Sequence, residues 1–177
     1  MGGVIAQRFA LDYPRRVRSL VLLSTSSEVG PRSLAAWQRL ADRVEQHGFD
    51  PATSDASRAF SPGFAAAHPD IVAAAAERTA RNDRQAYAAA ARAMSDYHWT
   101  AELARLRTPV LILQGTADQL TPPGGSVKMQ RALPAARLLM LPDAGHTLSI
   151  EQPAVVTAAV LGFVGAVDAC LHLGQAG

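Results

Sequence analysis

Cysteine and lysine each occur once in the 177 residues, as Cys170 and Lys128. A single cysteine excludes an intrachain disulfide and gives no reason to favour an oxidising compartment. Cys170 itself reads as a small apolar residue on a helix. With lysine nearly absent, arginine carries the positive charge, at sixteen to one. That bias, with abundant alanine, suits a GC-rich genome. The arginines are scattered among 15 acids and the formal net charge is only +2. Aromatics make up 6% and form no stripe with basic residues, so no nucleic-acid partner is expected. His47, His68, His98 and His172 show no ligand spacing, and no Cys/His cluster or H-E-x-x-H occurs. Neither a metal nor a cofactor is expected. No basic segment followed by an apolar core opens the chain, so no signal peptide is read and cytoplasmic is the expected location. The longest apolar stretch, residues 154–167, is interrupted by Thr157 and followed by Asp168. It suits a core helix better than a membrane span of about 20 residues, so no membrane partner is expected.

What is present is apolar enough to build a core. Apolar residues make up 49% of the chain, and the length fits one domain, or one domain with an insertion. Residues 2–12 predict a helix with Ile5 and Phe9 one turn apart, ended by Pro14. Residues 17–23 predict a buried parallel strand, because Leu20-Val21-Leu22-Leu23 is continuously apolar rather than alternating. From about residue 28 to 106 the texture changes to alanine, arginine and helix-period apolar positions. Leu34, Trp37, Leu40 and Val44 form one stripe, and further helices are predicted after Ile71, over 83–94 and over 100–106. Pro51, Pro62 and Pro69 punctuate the region. Strands return at 110–113 and 137–141, with a helix over 126–133 between them. A last helix opens at Glu151-Gln152-Pro153 and runs to about residue 171. Strand, helix and strand in alternation imply a parallel sheet with right-handed crossovers.

Two polar residues follow strands where chemistry gathers in such sheets, at their carboxyl ends. Asp118 lies about four or five residues past the 110–113 strand, and His146 about five past the 137–141 strand. Neighbouring parallel strands would bring both loops to one rim. Asp118 could then fix the tautomer of His146, leaving the other ring nitrogen for a nucleophile. Each residue alone reads as readily as a turn former or a loop residue. Asp143 is a competing acid but lies too close to His146 in sequence, and Asp96 is a second, weaker one. Ser24, Ser26 and Ser27 stand near a strand end without the small-residue turn of a nucleophile. Trp37, Trp99, Tyr87, Tyr97 and Met94 read as core of the helical insertion, with an apolar acyl pocket as the alternative.

The run Met1-Gly2-Gly3-Val4-Ile5-Ala6 resembles the segment just after the nucleophile in G-H-S-M-G-G, Gln114-Gly115-Thr116-Ala117-Asp118 an acid loop, and Ala144-Gly145-His146 through Glu151-Gln152-Pro153 a histidine loop. In these the chain resembles the α/β-hydrolase fold family with a helical cap, of the 3-oxoadipate enol-lactonase or haloperoxidase-like esterase type. The resemblance implies an α/β fold: the C-terminal part of a doubly wound parallel sheet, three strands of a family total of eight. Residues 1–27 and 107–177 would be the partial core and 28–106 the inserted all-helical cap. It implies hydrolysis of an ester or lactone of a small acyl substrate by a Ser-His-Asp triad without cofactor. Asp118 would orient, His146 would be the general base, and Met1 would mark an oxyanion position. The nucleophile would precede Met1, so the chain is expected to be a fragment or mis-started product, inactive alone. Its first strand would be an exposed sheet edge prone to self-association. Two rivals remain open: a truncated, non-catalytic binding or interaction protein, and a dehalogenase-type hydrolase with an Asp nucleophile.

Overall fold

A computed structural model describes residues 1–49, 56–94 and 96–173, with the side chains of Leu171 and Leu173 outside that description. Pro51 therefore falls outside it. Helix α1 (Gly2–Asp12) leads through a turn of 3-10 helix at Pro14–Arg16 into strand β1 (Leu20–Leu23). Proline at residue 14 starts that turn, and for this reason the strand begins three residues later than its apolar texture suggested. Four helices come next: α2 (Pro31–His47), α3 (Pro62–Ala67), α4 (Pro69–Ala80) and α5 (Arg84–Ala93). Three of the four take proline in their first turn, where its missing N–H is harmless. Asp83 caps the fourth by accepting the N–H of Ala86 at 2.8 Å. The predicted helix over 100–106 is a single 3-10 turn, Glu102–Arg105.

Strand β2 (Val110–Gly115), helix α6 (Pro123–Ala132) and strand β3 (Ala136–Leu141) complete the sheet; the short α7 (Leu148–Glu151) and long α8 (Pro153–Leu173) close the chain. Strand order is β1-β2-β3, all parallel, with Leu22 opposite Ile112 and Ile112 opposite Leu138. Every residue of β2 is buried, as expected of a strand covered on both faces. Two apolar layers cover it. On one face Ala10 of α1 and Met129 of α6 pack with Leu22, Val110 and Ile112; on the other, Val156, Phe163 and Val167 of α8 pack with Leu111, Leu113 and Leu141. The helices between β1 and β2 pack partly on themselves: Ala41 of α2 and Ala88 and Ala91 of α5 form their own buried contact, with Trp37 against it.

α8 differs from the expected core helix. Only 17% of its 18-residue window Pro153–Cys170 is buried, at a mean hydropathy of 1.8. By length and composition it is the one helix among the described residues apolar enough to cross a membrane. Its inward residues meet the sheet, whereas Val155 and Leu161 face outward at 47% and 67% exposure.

Candidate active site

Parallel pairing of β2 with β3 sends both strands toward one rim, where their exit loops are joined backbone to backbone. Thr116 N–H donates to Leu141 O at 3.0 Å, Ala117 N–H to Ala144 O at 2.9 Å, and Asp143 N–H to Thr116 Oγ1 at 2.9 Å. The approach is so close that a Cβ on Gly115 would overlap the carbonyl oxygens of Ala144 and Gly145. Glycine at the end of β2 is thus a condition for the two loops to touch.

This seam brings Asp118 and His146 together. Asp118 Oδ2 lies 2.9 Å from His146 Nδ1, with the carboxylate fully buried and the imidazole 30% exposed. Asp118 Oδ1 accepts the N–H groups of Leu120 and Thr121, both at 2.8 Å. Burial pushes the Asp118 carboxyl up, but the His146 hydrogen bond and charge and the two backbone donors outweigh it. The net effect holds this carboxyl below the usual carboxylate range. An ionised Asp118 keeps the imidazole proton on Nδ1, and Nε2 then carries the lone pair.

Gln114 enters the sequence reading only as the first residue of the acid-loop resemblance, with no role of its own, yet it completes the surroundings of Asp118. It is fully buried in β2; its Nε2 donates to Gly115 O, Thr121 O and Asp118 Oδ2 at 3.0, 3.1 and 3.3 Å. Its Oε1 accepts from Ser126 Oγ at 2.6 Å. The available signal is the residue itself: an amide inside the run Val110-Leu111-Ile112-Leu113-Gln114 must find partners. Glu151 stands in the sequence as part of a helix start and of the histidine-loop resemblance, with no role of its own. Its carboxylate accepts the Gly145 N–H on both oxygens, at 3.0 Å each, and the Ser61 N–H at 3.0 Å.

The other candidates lie elsewhere. Asp143 is exposed on the loop, with φ 56°, and Asp118 is the carboxylate that meets His146. Met1 caps α1 and lines a mainly apolar groove of about 410 Å³ together with Asp96, Met94, Tyr97 and Trp99; Asp118 and His146 do not line it. Ser26 Oγ bonds Tyr97 Oη at 2.8 Å and Ser27 Oγ bonds Thr100 Oγ1 at 2.7 Å. Ser24 departs from expectation: φ is 47°, a strained value for serine, and its hydroxyl is buried without a hydrogen-bond partner. Trp37 and Tyr87 pack between α2 and α5. Trp99 Nε1 donates to the buried Gln7 Oε1 at 3.2 Å. Among the described residues no three His, Cys, Asp or Glu side chains gather as metal ligands.

A three-stranded parallel sheet with helices on both faces and polar residues gathered at its exit loops defines a doubly wound α/β protein. A profile of the alpha/beta hydrolase fold matches residues 1–153, and the chain belongs to that family. It is similar to 3-oxoadipate enol-lactonase 2 of Acinetobacter baylyi, 29% identical over 161 residues, covering 90% of this chain and 59% of that protein. Among solved structures it resembles a thermophilic esterase from Thermogutta terrifontis (TM-score 0.85, 29% identity), covering 94% of this chain and 62% of that one. It also resembles the enol-lactonase from Burkholderia xenovorans LB400 (TM-score 0.84, 25% identity), covering 93% and 63%. The chain thus spans less than two thirds of the length of each.

Proposed function

We propose that this chain carries the acid and base of a serine-type hydrolase acting on a carboxylic ester or lactone of a small acyl substrate. One observation carries the reading: a buried carboxylate 2.9 Å from His146 Nδ1, each group on the exit loop of its own parallel strand. Esterases and lactonases among the similar proteins support the substrate class. In this reading Asp118 holds the imidazole in one tautomer, and His146 Nε2 takes the proton of a nucleophile and returns it to the leaving group. The helices between β1 and β2 act as a cap over the site. The nucleophile is supplied by residues outside this chain, and the backbone at Met1 contributes to the oxyanion site.

The purified 177-residue chain is then expected not to turn over a short p-nitrophenyl ester. Without the nucleophile, a site of this kind retains about 10³–10⁴ over water at most. Turnover by this chain that is abolished in both His146→Ala and Asp118→Asn would overturn the division of the site and reveal a nucleophile within these residues. The in-frame codons before Met1 provide an independent check: G-H-S supports the proposal, a stop codon a non-catalytic product, and G-x-D a dehalogenase-type nucleophile.

A further inference from the structure

The geometry points to Glu151 as a positioning residue that ties the cap to the general base, an inference that rests on the reading of His146 above. Its carboxylate takes one backbone donor from each side of a junction. Gly145 N–H, adjacent to His146, lies 3.0 Å from both Oε1 and Oε2. Ser61 N–H, at the N-cap of α3 in the cap, lies 3.0 Å from Oε2. A second pair of bonds reinforces the junction: Thr147 N–H and Oγ1 both donate to Ala59 O, at 3.0 and 2.8 Å. The donors flank His146 on either side in sequence, so the base's own backbone is clamped against cap residues 59–61.

The contacts suit a carboxylate. Oε2 accepts both N–H groups and Oε1 accepts the Gly145 N–H as well, whereas an amide would turn an NH2 toward that same N–H. The packing also leaves no alternative at residue 145. A Cβ there would overlap Ser61 N and stand 2.7 Å from Glu151 Oε1, so Gly145 admits the cap backbone and Glu151 fastens it. A cavity of about 450 Å³ opens beside the clamp and is lined by Ser61, Phe64, Ala117 and Glu151 among others. Cap seating and base placement are therefore one event: a cap segment that lifts away takes a hydrogen bond from the support of His146.

The test uses the full chain and two substitutions that act from opposite sides. Glu151→Gln removes the charge and, in either amide orientation, sets an NH2 against the Gly145 N–H that both carboxylate oxygens accept. Ser61→Pro deletes the cap's donor at a residue whose φ of −66° already suits proline, and Ser61→Ala, which keeps that N–H, controls for the hydroxyl that accepts the Phe64 N–H at 3.3 Å. Two readouts are followed by NMR: amide exchange at Gly145 and Ser61, and the low-field proton signal of His146 Nδ1–H. In Glu151→Gln the Gly145 amide is expected to exchange about ten- to a hundredfold faster, the span of one lost hydrogen bond to a charged group, and the Ser61 amide faster by a smaller factor. The His146 signal is expected to broaden or move, while Ile112 and Leu113 in the sheet keep their protection. Ser61→Pro is expected to disturb the His146 signal with Glu151 intact. Unchanged amide exchange in Glu151→Gln overturns the clamp. Faster amides with an undisturbed His146 signal make Glu151 a structural residue only, and an undisturbed signal in Ser61→Pro overturns the link to the cap. If wild type shows no low-field signal that Asp118→Asn removes, the acid–base reading itself has failed and the proposal falls with it, separately from the amide result.

Discussion

Asp118→Asn isolates the value of a buried charge that four donors surround. Asparagine keeps one carbonyl oxygen for the N–H groups of Leu120 and Thr121, but places an NH2 where Oδ2 meets His146 Nδ1 and Gln114 Nε2. His146 can change tautomer and accept from that NH2. Gln114 cannot turn to do so without giving up the Ser126 hydroxyl that its Oε1 accepts. One charged hydrogen bond is lost and a second becomes a donor facing a donor, which together should cost about 2–4 kcal/mol. The sign with pH comes from the Asp118 carboxyl being held below its ordinary value. A lowered folded pKa stabilises fully above the unfolded value of about 3.9, and that stabilisation fades as pH falls through the folded pKa. Urea unfolding of wild type and Asp118→Asn, followed by tryptophan fluorescence, should show the full gap at pH 6.5 and a gap that narrows as pH falls below about 3.9. A gap that stays constant as pH falls, or none at pH 6.5, would refute the argument that the charge is what the site is built to hold.

Three further outcomes rest on the same contacts. Gly145→Ala should lower stability by about 1–3 kcal/mol, because its Cβ meets the backbone of Phe60 and Ser61; Gly124→Ala, with nothing within 4 Å, should leave the melting temperature nearly unchanged. Gln114→Leu should cost about 1–3 kcal/mol in urea unfolding, since the Ser126 hydroxyl loses its shorter bond inside the core; a neutral result would mean that the amide is dispensable to the acid loop. Met1, Ile5, Phe9 and Tyr13 make a stripe along α1 with exposures of 44–61%, beside a β1 that pairs on one side only among the described residues. Sedimentation velocity should reveal self-association that Ile5→Glu with Phe9→Lys reduces, and a monodisperse monomer at high concentration would overturn that expectation.

The architecture was legible because its signals are short-range. Continuous apolar runs with proline or glycine at their ends located β1, β2 and β3 to within a few residues, and the same rule failed only at β1, where Pro14 draws the chain into a 3-10 turn first. Asp118 and His146 were legible for a related reason: each lies just past a strand, and parallel neighbours bring their exit loops together. Gln114 and Glu151 were not, because their roles depend on partners that sequence spacing does not reveal. Glu151 joins Gly145, six residues away, to Ser61, ninety residues away. The left-handed φ of Ser24 was equally hidden, since no residue type announces it the way glycine or asparagine would.

These observations divide the molecule into two sides that differ in what they need. Every donor to Asp118 among the described residues comes from within residues 114–121 or from His146, and the loop of His146 is fastened by Glu151 and by residues 59–61 between β1 and β2. The side of Asp118 and His146 therefore closes most of its own hydrogen bonds. The β1 side does not: among the described residues its strand has one partner, Ser24 holds a buried hydroxyl unbonded, and the α1 stripe faces outward. Buried polar groups left unpaired and apolar surface left in water both disfavour that side as it stands. The Asp118–His146 pair should accordingly be ordered in this chain whether or not the β1 side is covered, because none of its direct donors comes from β1. The uncovered side should then decide how the chain associates, and the Asp118–His146 side should decide how firmly the imidazole of His146 is held.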